Sequence, residues 1–240
     1  MTDKSAGTEE RPRNLRTQRG WMGPLIRNVK LSAKKLLPGS VVREIQAYRA
    51  YGASERSIYL KVRIWNSLGL AKPKRSRIPA TARSIVFVCF GNIIRSPVCE
   101  VLMKQSLAGL PNLGINVTSA GLNATPGRPA HPWAIATARE FGVSLEQHRA
   151  QLLTAELVAQ ADVIFAMDYQ NQVQLLSRWR NSRKKVFMLS AYASEDYGPV
   201  EIRDPYSIGI EETRRCYSVL NTCVRNLVSS LSRETPIARH

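Results

Sequence analysis

The sequence predicts an α/β fold: a four-stranded parallel sheet flanked by helices on both faces, preceded by a basic helical N-terminal extension. Three observations predict it. Short apolar runs alternate with segments of helical character from residue 84 onward. Charge divides the chain: residues 1–83 hold 19 basic and 5 acidic side chains, whereas residues 84–240 hold 16 and 13. A Cys and an Arg, separated by five residues, lie between the first apolar run and the helix that follows it.

The extension comprises residues 1–83 and the folded domain residues 84–240. Residues 1–20 are polar, with Pro12 and Gly20, and read as a disordered tail. Residues 21–38 mix Trp21, Leu25, Ile26 and Val29 with Arg27, Lys30, Lys34 and Lys35. That pattern fits a basic amphipathic helix on a membrane surface, and equally a helix docked on the rest of the chain. A second helical stretch is expected within 41–70, with Leu60, Ile64 and Leu68 on one face and an interruption at Gly52. Lys72 to Pro79 reads as a basic linker.

In the domain, residues 85–88 form a continuous apolar run, as expected of a strand buried on both faces. A helix over 98–107 and a strand over 115–118 follow. Residues 132–141 read as a helix stopped by Gly142, and Thr154 caps a short helix over 155–159. Strands at 163–167 and 186–189 bracket a helix at 169–176, and a long helix closes the domain at about 211–231.

The bulk numbers bound the function. The net charge of +17 suggests contact with an acidic surface, either anionic lipid or nucleic acid. No nucleic-acid motif accompanies it, which favours a membrane or an acidic partner. No apolar run approaches the roughly 20 residues that span a bilayer, and the start lacks the apolar core of a secretory signal. The four cysteines (Cys89, Cys99, Cys216, Cys223) form no zinc-like cluster, so neither a metal nor a cofactor is expected. Free thiols point to a reducing cytoplasm, with peripheral attachment to a membrane as the role open to the leader.

The stretch Cys89-Phe90-Gly91-Asn92-Ile93-Ile94-Arg95-Ser96-Pro97 is the most informative. A short loop between strand and helix can turn its amide hydrogens inward and cradle an anion, and the positive helix end adds to the field. Pro97 suits the first helical turn. Arg95 offers a planar fork for two phosphate oxygens. The same field favours a thiolate at Cys89, making it a nucleophile. Gly91 and Asn92 tolerate the tight backbone such a nest needs. Asp204, followed by Pro205 and Tyr206 in a loop, is a candidate mobile general acid.

These residues resemble the low-molecular-weight protein tyrosine phosphatase family, whose signature is a strand, then Cys-x-Gly-Asn-x-Cys-Arg-Ser-Pro. Ser119-Ala120-Gly121, His131-Pro132-Trp133, His148-Arg149-Ala150, Asp162-Val163-Ile164, Met167-Asp168 and Asp204-Pro205-Tyr206 recur in the family's order. The resemblance implies hydrolysis of phosphomonoesters, by default phosphotyrosine in a phosphorylated protein substrate. Cys89 would carry the phosphoryl group, and Phe90, Gly91, Asn92, Ile93, Ile94 and Arg95 would line the cradle. Ser96 would steady the sulfur, and Asp204 would protonate the leaving oxygen. Tyr206 beside it has two readings, a ring that stacks on an aromatic substrate or one that simply packs. Ile94 stands where the family has a second Cys, so a protective disulfide with Cys89 is not available. Residues 122–129 lack the aromatic residue the family often carries there.

Two alternatives stay open at this stage. One is a thiol-dependent arsenate reductase on the same fold, relayed by Cys216 and Cys223. The other is a non-catalytic phosphate-binding module with a membrane- or nucleic-acid-binding leader. Met167, Asp168 and Cys99 read as structural.

Overall fold

The computed structural model describes residues 52–67, 78–79, 81–110, 113–194, 196–198 and 201–234. The helix expected over 21–38, the linker at 72–77 and Leu68 lie outside the described residues. The described elements all belong to one compact unit, residues 51–240.

Four parallel strands form the sheet: β1 (Ser84–Cys89), β2 (Asn116–Gly121), β3 (Val163–Ala166) and β4 (Val186–Met188), in the order β2-β1-β3-β4. The helices are α1 (Ala53–Ser67), α2 (Arg95–Ala108), α3 (Pro132–Glu140), α4 (Ala155–Gln160), α5 (Tyr169–Arg178) and α6 (Ile210–Glu234). Two 3-10 turns, Arg180–Lys185 and Leu189–Tyr192, flank β4.

Alternation along β1 builds two cores. Ile85, Phe87 and Cys89 point to one face, with Phe165 of β3 and buried residues of α2, α3 and α6. Val86 and Val88 point to the other, with Ile164, Val158 of α4 and Leu175 of α5. Every β1 residue after Ser84 is buried, because helices cover both sides. The Phe87 and Phe165 rings stack at 5.5 Å. Each such fully buried side chain contributes about 1.5–3 kcal/mol.

Local signals set the helix starts. Thr154 accepts from the Leu157 amide and Asp168 from the Asn171 amide, satisfying donors that the first helical turn leaves open. His131 caps α3 in the same way through Nδ1, at 3.3 Å from the Trp133 nitrogen. Helix α2 differs. Its N-cap, Ile94, makes no side-chain bond, so the helix start is left to the loop before it.

Helix α1 packs against α5, with Ser177 Oγ 3.3 Å from Glu55 Oε1. Among its described side chains Tyr59 is buried, while Leu60 and Ile64 are exposed.

From β1 the chain runs through α2 to β2 on one side, then crosses to β3 on the other. Open parallel sheets leave a crevice at such a reversal, beyond the carboxyl end of the first strand. Cys89 is the last residue of β1.

Candidate active site

The loop after β1 is held from outside by its carbonyls. The Cys89 and Phe90 oxygens accept from the Leu122 and Asn123 amides, and the Ile93 oxygen from the His131 amide. The Asn92 oxygen meets His148 Nε2 at 2.8 Å, and the Ile94 oxygen accepts from the buried Tyr217 hydroxyl at 3.0 Å. With the carbonyls turned out, the amides turn in. Those of Gly91, Ile93 and Ile94 make no backbone hydrogen bond among the described residues. The Asn92 amide points at Cys89 Sγ, 3.2 Å away. This is the arrangement of an anion nest.

Asn92 fixes the loop's shape. It takes a left-handed backbone (φ 54°), which asparagine tolerates better than most residues. Its side chain is fully buried. Nδ2 donates to Ser96 Oγ and Ser119 Oγ, each at 2.9 Å, and Oδ1 accepts from the Gln151 amide at 2.9 Å. Ser119 in turn donates to Glu100 Oε2 at 2.6 Å. Gly121 lets β2 approach this closely. A Cβ there would meet the Asn92 nitrogen at 2.8 Å and the Gly91 carbonyl carbon at 2.9 Å.

Cys89 Sγ lies 3.0 Å from Ser96 Oγ. That hydroxyl accepts from Asn92, and its own proton can reach the sulfur at 3.0 Å or the Ala120 carbonyl at 3.4 Å, the sulfur being the nearer. The other three thiols face different surroundings. Burial pushes Cys99 well above its ordinary value, and Cys216 and Cys223 up to about 12.

Arg95 opens α2 and is the largest fully buried side chain. Nη1 donates to Asp168 Oδ2 at 2.5 Å and to the Ile202 carbonyl at 3.0 Å. Nη2 pairs with Asp204. Burial alone would lower the Arg95 pKa, but Asp168, Asp204 and Cys89 outweigh it, and the net shift is upward. The guanidinium stays charged and is aimed by carboxylates from two different loops. Asp168 caps α5 through Oδ1 and holds Arg95 through Oδ2. Asp204 is held by the Tyr206 amide on Oδ1, and its side chain is 38 % exposed.

One pocket is lined by Cys89, Phe90, Gly91, Ile93, Ile94, Arg95, Asp204 and Tyr206, together with Asn123, Thr125 and Arg128. Of the residues singled out in the sequence, Asn92 and Ser96 do not line it but buttress it from behind. Asp168, read as structural, touches Arg95 directly. Its signal was its place, at the exit of β3 and the start of α5, beside the strand that carries the thiol. Ser119, His148 and Gln151 were not singled out as site residues, since only folding brings them to Asn92. Phe90 and Tyr206 put aromatic surface at the mouth, where residues 122–129 supply polar groups instead. Among the described residues, no three His, Cys, Asp or Glu side chains gather to hold a metal ion.

A thiol at the end of a parallel strand, above an amide-lined loop and beside a buried arginine, defines an α/β protein built to hold an oxyanion against sulfur. Residues 84–237 match the low molecular weight phosphotyrosine protein phosphatase model, and the chain belongs to that family. It is 35% identical over 150 residues to the protein-arginine-phosphatase of Bacillus subtilis, covering 62% of this chain and 97% of that one. It is 33% identical over 150 residues to the low molecular weight protein-tyrosine-phosphatase Etp of Escherichia coli, covering 62% and 95%. Among solved structures, the tyrosine phosphatase AmsI of Erwinia amylovora superposes with a TM-score of 0.57 at 34% identity, covering 64% of this chain and 95% of that chain.

Proposed function

We propose that this chain hydrolyses aryl phosphomonoesters, with phosphotyrosine in proteins as the substrate, through a cysteinyl-phosphate intermediate. One observation carries the reading: Cys89, Arg95 and Asp204 line one pocket, with the sulfur faced by the Asn92 amide and the Ser96 hydroxyl.

Phosphate enters with its non-bridging oxygens on the loop amides and the Arg95 fork. Asp204 gives up its contact with Nη2 as the anion takes its place. Cys89 Sγ attacks phosphorus, the bond to the tyrosyl oxygen breaks, and Asp204 protonates that oxygen as it leaves. Water then attacks the thiophosphate. Asp204 takes its proton, the S–P bond breaks, and inorganic phosphate departs. Ser96 and Asn92 hold the sulfur on line throughout, and Asp168 holds Arg95. Tyr206 and Phe90, both partly exposed at the mouth, offer faces for an aromatic leaving group.

The likeness to a protein-arginine-phosphatase raises phosphoarginine as a second substrate. A cationic arginine chain suits this mouth less well, because Arg128 stands on its lip. Arsenate reduction fits less well still. Cys216 and Cys223 lie buried on α6, do not line the pocket, and are pushed up to about 12. The test is turnover of p-nitrophenyl phosphate, phosphotyrosine and phosphoarginine by the full chain and by Cys89→Ser. Turnover that survives the serine change overturns the reading. Asp204→Ala incubated with tyrosine-phosphorylated proteins should retain a stalled complex.

The extension at 1–83 is proposed to hold this enzyme at an anionic surface in the cytoplasm, on the strength of its charge. Among the described residues, no helix is long and apolar enough to cross a membrane. Co-sedimentation of the full chain with phosphatidylserine vesicles, lost on deletion of residues 1–50, is the expected result.

A further inference from the structure

The rim of the pocket carries positive charge that the reaction does not use. Arg128 lines the mouth and is exposed, and its side chain makes no ion pair or hydrogen bond among the described residues. Its backbone is fixed on both sides: its amide donates to the Thr125 oxygen, and its oxygen accepts from the Ala150 amide. The guanidinium is therefore free at its head and anchored at its root.

Two further arginines stand on neighbouring segments without a carboxylate partner among the described residues. Arg149 follows His148 on the segment that bridges to Pro129, and donates only to the Glu146 and His148 carbonyls. Arg178 donates to the Leu122 carbonyl and to Oδ1 of Asn123, itself a lining residue. The nearby carboxylates are already engaged. Asp204 pairs with Arg95, Glu146 with Arg139, and Glu55 accepts from the Gly52 amide and Ser177. His131 adds no charge, because burial and Arg128 both lower its pKa. Its ring lies 5.5 Å from that of Tyr206, edge to face, which ties the aromatic side of the mouth to the cationic side.

A phosphate on a small aryl group would be satisfied by the pocket floor alone. An unpaired guanidinium beside two exposed aromatic faces gains a partner only if the substrate extends past the phosphorylated ring. We propose that the mouth selects tyrosine-phosphorylated protein segments that carry an acidic side chain beside the phosphorylated residue, with Arg128 as its reader. This rests on the aryl-phosphate reading above.

The experiment measures binding of synthetic phosphotyrosine peptides to the full-length Cys89→Ser protein at low salt. The neighbours of the phosphotyrosine are alanine, glutamate on the N-terminal side, glutamate on the C-terminal side, or lysine. One glutamate peptide should bind about threefold to fivefold tighter than the alanine peptide, the scale of an exposed ion pair. High salt should erase the difference. Adding Arg128→Ala should erase it too, Arg128→Lys should retain it, and Arg128→Glu should turn the preference toward lysine. Equal binding of all four peptides, or a preference unchanged by Arg128→Glu, overturns the proposal. Turnover of p-nitrophenyl phosphate, which has no neighbouring residues, tests the reaction separately. Absent turnover with intact selection strikes the reaction alone, and turnover without selection strikes the reader alone.

Discussion

Cys89 and Cys99 sit ten positions apart, at the two ends of the same loop-to-helix connection, and their surroundings are opposite. Cys89 ends β1, lines the pocket, and has an amide at 3.2 Å and a hydroxyl at 3.0 Å from its sulfur. Cys99 lies one turn into α2, fully buried against α6 in the apolar core, and burial pushes its thiol far up. Cys216 and Cys223 belong with Cys99. The lesson is that burial alone makes a thiol inert. Reactivity comes from what converges on the sulfur, and here a loop whose Cys89, Phe90, Asn92, Ile93 and Ile94 carbonyls are engaged elsewhere turns its amides toward the pocket.

The largest expected effect tests that contrast directly. Cys89→Ser should lower kcat/KM on p-nitrophenyl phosphate by roughly 10⁴-fold or more, the scale seen when a nucleophile is removed. Cys99→Ala, Cys216→Ala and Cys223→Ala, checked in the same assay, should each retain turnover in proportion to folded protein.

The next test weakens the field around the sulfur while leaving the sulfur in place. Arg95→Lys should cost about 10²-fold to 10³-fold in kcat/KM, because an ammonium cannot replace a two-toothed fork. Asp168→Asn should cost less, about 10-fold, and should appear chiefly as a rise in KM, since Arg95 keeps its charge but loses a partner that aims it. It should also destabilise the fold by about 3 kcal/mol in urea unfolding, because a buried ion pair loses one member.

Oxidation should separate the thiols again. Peroxide should inactivate the protein, and dithiothreitol should restore little of the activity, because Ile94 offers no sulfur for a disulfide and the other thiols lie in the core. Mass spectrometry should find sulfinic or sulfonic acid at Cys89 and unmodified thiol at the other three. Ile94→Cys should make a larger share of the loss recoverable.

The last contrast is in stability against pH. Cys216 and Cys223 have folded pKa values raised from 9.0 to about 12. Between these values the unfolded chain releases protons that the folded chain keeps, so stability is complete below pH 9 and falls as pH rises toward 12. Each thiol adds up to about 1.4 kcal/mol of loss per pH unit in that window. Chemical denaturation of Cys216→Ala/Cys223→Ala should show a shallower decline there than the unaltered chain.

Asp168 shows where reading the sequence alone fell short. The phosphate loop was legible because its residues are consecutive: spacing, glycine, asparagine, serine and proline all bear on one local turn. The strands and helices were legible because their apolar periodicity is local too. The 3-10 turns around β4 were missed, and the sequence pattern did not show that Tyr59 of α1 is buried while Leu60 and Ile64 are exposed. Amphipathic pattern tells which residues can be buried, and a neighbouring helix decides which are.

The sequence by itself determined the alternation of strand and helix, the identity of the thiol and the arginine beside it, and the concentration of charge ahead of residue 84. Only the tertiary structure decided that Asp168 and Asp204, more than 70 and 100 residues downstream, both meet the Arg95 guanidinium, and that Ser119, His148 and Gln151 lock Asn92. The reason is physical. A turn is shaped by neighbours in the chain, but the charges and donors that make it reactive come from strands and loops brought together by the fold, and no local pattern of residues encodes that meeting.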